Sequence, residues 1–379
     1  MSTKIWIVAS AAAFGLIVCA VAQDGPGLSG SETVAQPRKK SDTGGASSST
    51  TDSNAAPLPK IPSKLTPKKD DAPPEVSFKA DTSIVTVDVA VLDNKGNPIP
   101  QIPKNYFRIL EDNVPQTLTQ YSVGQAPMTV ALVIEFSAQF QQYWSSGWQQ
   151  TLIASHWFVQ TLRPDDYLAV IAYDLRPTIL CDFTNDRGKI NEALSRLTIP
   201  AFHESAMFDA LTDTADRMSK IEGRKAVIII TSGMDTISKL TFDKTRKSLQ
   251  ESGVPIYSIG ILQLAREMAE ARGGNDIGFL QGDNEMRTFA KETGGQAFFP
   301  RFVQEMPGAF QAINQALRNQ YSLGYSPTNQ AKDGKFRKIS VQLVDPATNQ
   351  PPKMTDGKGK PFKYTILAKA GYTAPRAVE

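Results

Sequence analysis

Four short, unbroken apolar runs constrain this chain more than any other feature: TVALVIEF at 129–136, YLAVIAYD at 167–174, KAVIIIT at 225–231 and VPIYSIGI at 254–261. A strand with one wet face alternates apolar and polar residues. These runs do not alternate, so they read as strands covered on both faces. The segments between and after them carry helical spacing: QYWSSGWQQTLIASHWFVQTL, KINEALSRL, FDALTDTADRMSKI, FDKTRKSLQES and EMRTFAKETG. The last two stop at Gly253 and Gly294, where a left-handed residue ends a helix at little cost. Strands alternating with helices predict an α/β fold with a doubly wound, mainly parallel, Rossmann-like sheet over residues 127–320.

The flanks have a different rhythm. SIVTVDVAVLD alternates with period two and meets a turn at Asp93-Asn94-Lys95-Gly96, and YFRILEDNVPQTLTQYSV adds two strands, so residues 76–126 read as an antiparallel β region. After AFQAINQALRN the chain returns to β character in YSLGYS, FRKISVQLV and FKYTILAKAGY, a second β region over 321–373 with a tail at 374–379. Three strands alone make a thin core, so the two regions are expected to share one small β domain. Residues 263–283, ending in the Gly-rich GGNDIGFLQGDN, are expected to form a surface insertion.

Ahead of these lies a stretch with nothing to bury. Residues 1–22 place Lys4 before an apolar run and end in Ala20-Val21-Ala22, the pattern of a cleaved secretory signal, with an uncleaved anchor as the alternative. Residues 23–75 are rich in Gly, Ser, Thr, Pro and Lys and read as a disordered linker. Export would remove Cys19 with the signal and leave Cys181 alone, so no internal disulfide is expected and Cys181 reads as a small buried side chain. With 41 basic against 38 acidic residues, a net charge of +3 and no basic stripe, nucleic acid is not an expected partner. The GxGxxG and P-loop patterns are absent, which removes the support for nucleotide binding.

In an open doubly wound sheet, ligands bind outside the carboxyl ends of the strands where the strand order reverses. Two strand ends matter: ALVIEFSAQF, ending at Glu135, and AVIIITSGMD, ending at Ser232. The loop PAFHESAMFDAL places Ser205 just before a helix. His156 lies on an apolar helix and reads as packed and hydrogen-bonded. His203, beside Glu204, lacks the second histidine of a His-Glu-x-x-His zinc motif, and Ser232 lacks the glycines of a nucleophile elbow.

These three loops resemble those of von Willebrand factor A-type (VWA) domains. ALVIEFSAQF is similar to their first strand and Asp-x-Ser-x-Ser loop, FHESAMFDAL to their Thr-containing loop, and IIITSGMDT to their strand ending in Ser/Thr-Asp-Gly-x-Asp. With DVAVLDNKGNPIPQIPKNYFRILEDNVPQ before and QYSLGYSPTN after, the ordered part resembles the exported VWFA-related proteins of acidobacteria. The resemblance implies a VWA-like fold and a metal-ion-dependent adhesion site, in which a Mg2+ or similar ion receives a partner's carboxylate. Glu135 stands where the first Asp belongs, Ser137 matches its Ser, Gln139 replaces the second Ser, Ser205 stands for the Thr, and Ser232 replaces the second Asp. Only Ser137 is unchanged. Mg2+ demands near-octahedral oxygens at about 2.0–2.1 Å, so a longer Glu and a lost carboxylate predict a degenerate site without a resident cofactor.

The expected function is therefore an exported, noncatalytic protein or cell-surface interaction module that binds at the carboxyl end of the sheet. Glu135, Ser137, Gln139, Ser205 and Ser232 are its candidate positions, with His203, Glu204, Asp235 and Trp144 as auxiliaries. The alternative is a Mg, Mn or Ca site rebuilt with Glu204 or Asp235 and held through Glu135, Ser137 and Ser205. An envelope hydrolase using His203 with Ser205 or Ser232, and a passive scaffold, are weaker readings.

Overall fold

The computed structural model describes residues 84–377, apart from 125, 139–147, 199, 201, 262, 264–266, 268–270, 272–276 and 356–358. The expected signal and linker, Gln139 and Trp144 lie outside the described residues. No described helix is long and apolar enough to cross a membrane.

The chain first lays down β1 (Val85–Asp93), β2 (Phe107–Glu111), β3 (Val114–Gln116) and β4 (Leu118–Val123). The α/β unit follows with β5 (Met128–Glu135), α1 (Trp148–Thr161), β6 (Tyr167–Tyr173), β7 (Pro177–Thr184), α2 (Arg187–Ser195), α3 (Met207–Ser219) and β8 (Arg224–Thr231). It continues through α4 (Phe242–Ser252), β9 (Ile256–Gly260), α5 (Ile277–Thr293), β10 (Ala297–Phe298) and α6 (Met306–Arg318). The last strands are β11 (Tyr321–Tyr325), β12 (Phe336–Leu343), β13 (Met354–Thr355), β14 (Pro361–Phe362), β15 (Tyr364–Ala368) and β16 (Gly371–Thr373).

The central sheet runs β10-β9-β8-β5-β6-β7, parallel throughout except for the edge strand β7. Its four apolar runs are buried on both faces, as their unbroken hydrophobicity predicts. Leu132 and Ile134 of β5 pack with Phe158, Ile190 and Phe310 under α1, α2 and α6. Ala131 and Val133 face the opposite way, onto Leu211, Leu249 and Phe289 of α3, α4 and α5. The order reverses between β5 and β8, whose carboxyl ends lie side by side.

The flanking β segments do share sheets. β1 pairs with β11 and β15, and β2 pairs with β12, giving the orders β15-β1-β11-β4 and β16-β12-β2-β3. Val87, Val89, Val91, Ile109, Tyr321, Leu323 and Tyr325 form the core of this β part. Ala90 and Leu92, on the opposite face of β1, join the core shared with α6. Strand alternation thus gives β1 two apolar neighbours.

Two expectations need correction. Residues 277–283 are not part of a loop insertion but the first turns of α5. A Cβ at Gly282 would lie 2.3 Å from the Gly233 carbonyl oxygen, so Gly282 is what lets this helix approach the loop after β8. Cys181 is free and only half-buried, because it sits on the edge strand β7, where one side packs and the other meets solvent.

Candidate functional site

The carboxyl ends of β5, β6 and β8 put three polar side chains on the face of the sheet that α3 covers. Register aligns Glu135 with Tyr173 and Ile134 with Ile230, so Glu135, Tyr173 and Thr231 end adjacent strands at one level. Glu135 is 1% exposed. Its Oε1 accepts from Ser137 Oγ at 2.9 Å, and its Oε2 accepts from Thr231 Oγ1 at 2.8 Å, Ser232 N at 2.7 Å and Ser232 Oγ at 2.9 Å. The Tyr173 hydroxyl donates to Thr231 Oγ1 at 2.8 Å and lies 3.4 Å from Oε2.

Burial raises the Glu135 pKa above its ordinary value, while the hydrogen bonds from Ser232, Ser137 and Thr231 oppose that rise. The Tyr173 phenol is pushed well up, first by burial and then by the neighbouring Glu135 carboxylate. Ser205 Oγ is buried beside the Tyr173 phenol but makes no hydrogen bond of good geometry. Glu135, Ser137 and Ser232 therefore form one bonded cluster, and Ser205 borders it. Tyr173 and Thr231, which motif reading did not single out, complete it.

The surrounding loops are latched together by backbone bonds. Ala138 N donates to Phe202 O at 2.7 Å, Ala206 N to Asp174 O at 2.7 Å, and Thr236 N to Ser205 O at 2.8 Å. Asp235 has a specific task in this arrangement: its Oδ1 accepts from Phe208 N at 3.1 Å and from Ser238 Oγ, satisfying a free donor in the first turn of α3. His203 and Glu204 are exposed. No hydrogen bond joins His203 to Ser205 or Ser232 among the described residues, and the Ser232 hydroxyl is directed at Glu135. His156 is held through Nδ1 by Asn191 Oδ1 at 2.8 Å.

These residues do not fit a hard divalent cation. Such an ion needs about six oxygen lone pairs aimed at one point, with anionic ligands among them. Here the hydroxyls of Ser137, Thr231 and Ser232 spend their hydrogens on Glu135, so the one central carboxylate is already saturated by protein donors. Asp235 is committed to capping, and among the described residues no group of three His, Cys, Asp or Glu side chains is placed to hold a metal.

The surface above this floor is apolar in part. Phe202 is 47% exposed, Ile237 48%, Ile277 73% and Leu280 51%, all on loops or a helix start at this end of the sheet.

No family model and no curated protein matches the chain. Solved structures similar to it include a von Willebrand factor type A protein from Catenulispora acidiphila, 11% identical, covering 78% of this chain and 76% of that one, with a TM-score of 0.42. Proximal thread matrix protein 1 from the mussel byssus is 16% identical over 55% of this chain, with a TM-score of 0.40. The vWF domain of the type V pili tip protein Mfa5 from Porphyromonas gingivalis is 14% identical over 50% of this chain and 95% of that one, at 0.41. This chain spans about half the length of the mussel protein, 50%. The architecture given above rests on strand order and register in this chain.

Proposed function

We propose that this chain is an exported, noncatalytic protein-interaction module of VWA type, whose partner docks on the carboxyl end of the parallel sheet without a bridging divalent ion. The observation that carries the reading is the closed Glu135 carboxylate. The position at which the sequence resemblance calls for the first ion ligand is instead a buried acceptor with the hydroxyls of Ser137, Thr231 and Ser232 turned toward it. Recognition then falls to what the same end exposes: Phe202, Ile237, Ile277 and Leu280 for apolar contact, with His203 and Glu204 adding polar rim contacts. Apolar anchors inside a polar rim are the common anatomy of protein interfaces.

The test is affinity capture from envelope extract with the wild-type chain and a Phe202→Asp, Ile237→Asp double variant, each with and without EDTA. Capture that persists in EDTA and disappears in the double variant is the expected result. Capture that requires the ion, or that ignores both substitutions, overturns the reading. The alternative, an ion site rebuilt with Glu204 or Asp235, predicts a melting-temperature rise with millimolar Mg2+, Mn2+ or Ca2+ that Glu135→Ala abolishes.

A further inference from the structure

At the amino end of the parallel sheet, opposite the Glu135 cluster, a cleft of about 1040 Å3 separates the α/β unit from the sheet β15-β1-β11-β4. One cross-strand row forms its wall. Asp88 pairs in register with Ser322, and Ser322 with Ser122, while Lys369 follows Ala368, the partner of Val89. Strand alternation sends Val87, Val89, Tyr321 and Leu323 into the β core and turns this polar row toward the cleft.

The other cations at this cleft are occupied. Arg224 donates to the carbonyls of Leu317, Arg318 and Gln320 at the end of α6. Lys225 donates to Ser219 O and Ile221 O at the end of α3, and Lys220 pairs with Asp216. These bonds answer the negative ends of two helices. Lys369 and Asp88 differ: among the described residues, neither side chain has a hydrogen bond or an ion pair within 4 Å, although they are cross-strand neighbours and both are half-buried; Asp88 acts on Lys369, Arg224 and Lys225 only at longer range. Two partly desolvated, opposite charges left apart at a cavity wall are costly to the protein alone and complementary to a molecule that carries both charges.

We propose that this cleft binds a free α-amino acid, whose ammonium is received by Asp88 and whose carboxylate is received by Lys369. The two charges of such a zwitterion are separated by a single carbon, which suits two opposite charges carried by adjacent strands on one wall of the cleft. A peptide places its terminal charges farther apart. The remaining volume, toward Thr86 and Ser122, receives the amino acid side chain. Burial lowers the Lys369 pKa, with Asp88 opposing and Lys225 adding to the shift, so an arriving carboxylate relieves an existing cost.

The experiment is a thermal-shift and calorimetric screen of the full chain against the free α-amino acids, their N-acetyl and carboxamide derivatives, and simple dipeptides. At about ten times Kd, a bound amino acid raises the melting temperature by about 2–4 °C. The expected result is such a rise with at least one free amino acid, lost on capping either charged group. It also disappears in Lys369→Met and in Asp88→Asn, but survives in Glu135→Gln at the far end of the sheet. No response from any amino acid overturns the proposal, as does a response that survives both cleft variants. Equal binding of capped derivatives or dipeptides overturns it too.

Discussion

The two ends of the parallel sheet treat charge in opposite ways. At the carboxyl end, Glu135 is buried, and Ser137, Thr231 and Ser232 all donate to it. At the amino end, the side chains of Asp88 and Lys369 stand beside a cleft with no hydrogen bond and no ion pair within 4 Å among the described residues, and feel each other only at longer range. In the first arrangement the carboxylate is fully supplied with donors and makes no demand for a cation, although the Ser205 hydroxyl beside it is buried without a hydrogen bond of good geometry. The second leaves its demand open. Position in the fold directs attention to the carboxyl end, whereas the balance of donors and acceptors directs a small-ligand search to the other. A switch point between strands thus offers a place for chemistry without guaranteeing that the chemistry remains there.

The strongest way to break this contrast is to remove the acceptor at the closed end. Glu135→Ala strands the Ser232 amide and three buried hydroxyl donors and opens a void, so a loss of about 3 kcal/mol is expected. Denaturant unfolding, with a shifted midpoint and an unchanged slope, measures it. An Ala variant as stable as wild type would mean that the cluster is not held together as its distances indicate. Gly282→Ala tests the scaffold around the same end. Its new Cβ would collide with backbone at Gly233, an atom that no rotamer change moves away, so a loss of about 2 kcal/mol is expected by the same measurement.

The pH dependence sharpens the comparison further. Burial raises the Glu135 pKa in the folded chain above its ordinary value of 4.5. Between that value and the folded pKa, the native state holds a proton that the unfolded chain has released. The stabilisation is therefore fully present below about pH 4.5 and is lost as pH rises through the folded pKa, with a slope of at most about 1.4 kcal/mol per pH unit. Glu135→Gln removes this contribution. Subtracting its unfolding free energy from that of wild type across a pH series is expected to give a difference that falls as pH rises. A flat or rising difference would show that the hydrogen bonds outweigh burial at Glu135.

Much of this fold is legible in the sequence because the strands buried on both faces leave no other reading for runs such as KAVIIIT. Legibility fails where one element serves two surroundings. PTILCDFT forms the edge strand β7, and its mixture of Pro, Thr, Cys and Asp carries neither an unbroken run nor a clean alternation. The glycines at 278 and 282 read as loop, yet they lie in α5, where at Gly282 a tight backbone approach matters more than helix propensity. At the site, Glu135, Ser137, Ser205 and Ser232 are visible as motif positions. Tyr173 and Thr231 are not, since they lie 38 and 96 residues from Glu135 and only strand register brings them to it. Asp235 was visible as an acid, but its role as the helix α3 cap depends on a loop folding back to Phe208.

The smallest expected effect bears most directly on the open end. Lys369 has a desolvated ammonium and no hydrogen bond or close ion pair to lose, so Lys369→Met keeps the aliphatic packing of the stem and removes only the charge and its longer-range attraction to Asp88. In the absence of added ligand, its unfolding free energy is expected to stay within about 0.5 kcal/mol of wild type or to rise slightly. Asp88 opposes this from across the strand pair, because it gains an uncompensated charge when the lysine is gone, and that keeps the expected gain small. A loss comparable to that of Glu135→Ala would show that Lys369 is as fully satisfied by the protein as Glu135 is. The asymmetry between the two ends would then disappear, and with it the reason to look for a zwitterion in the cleft.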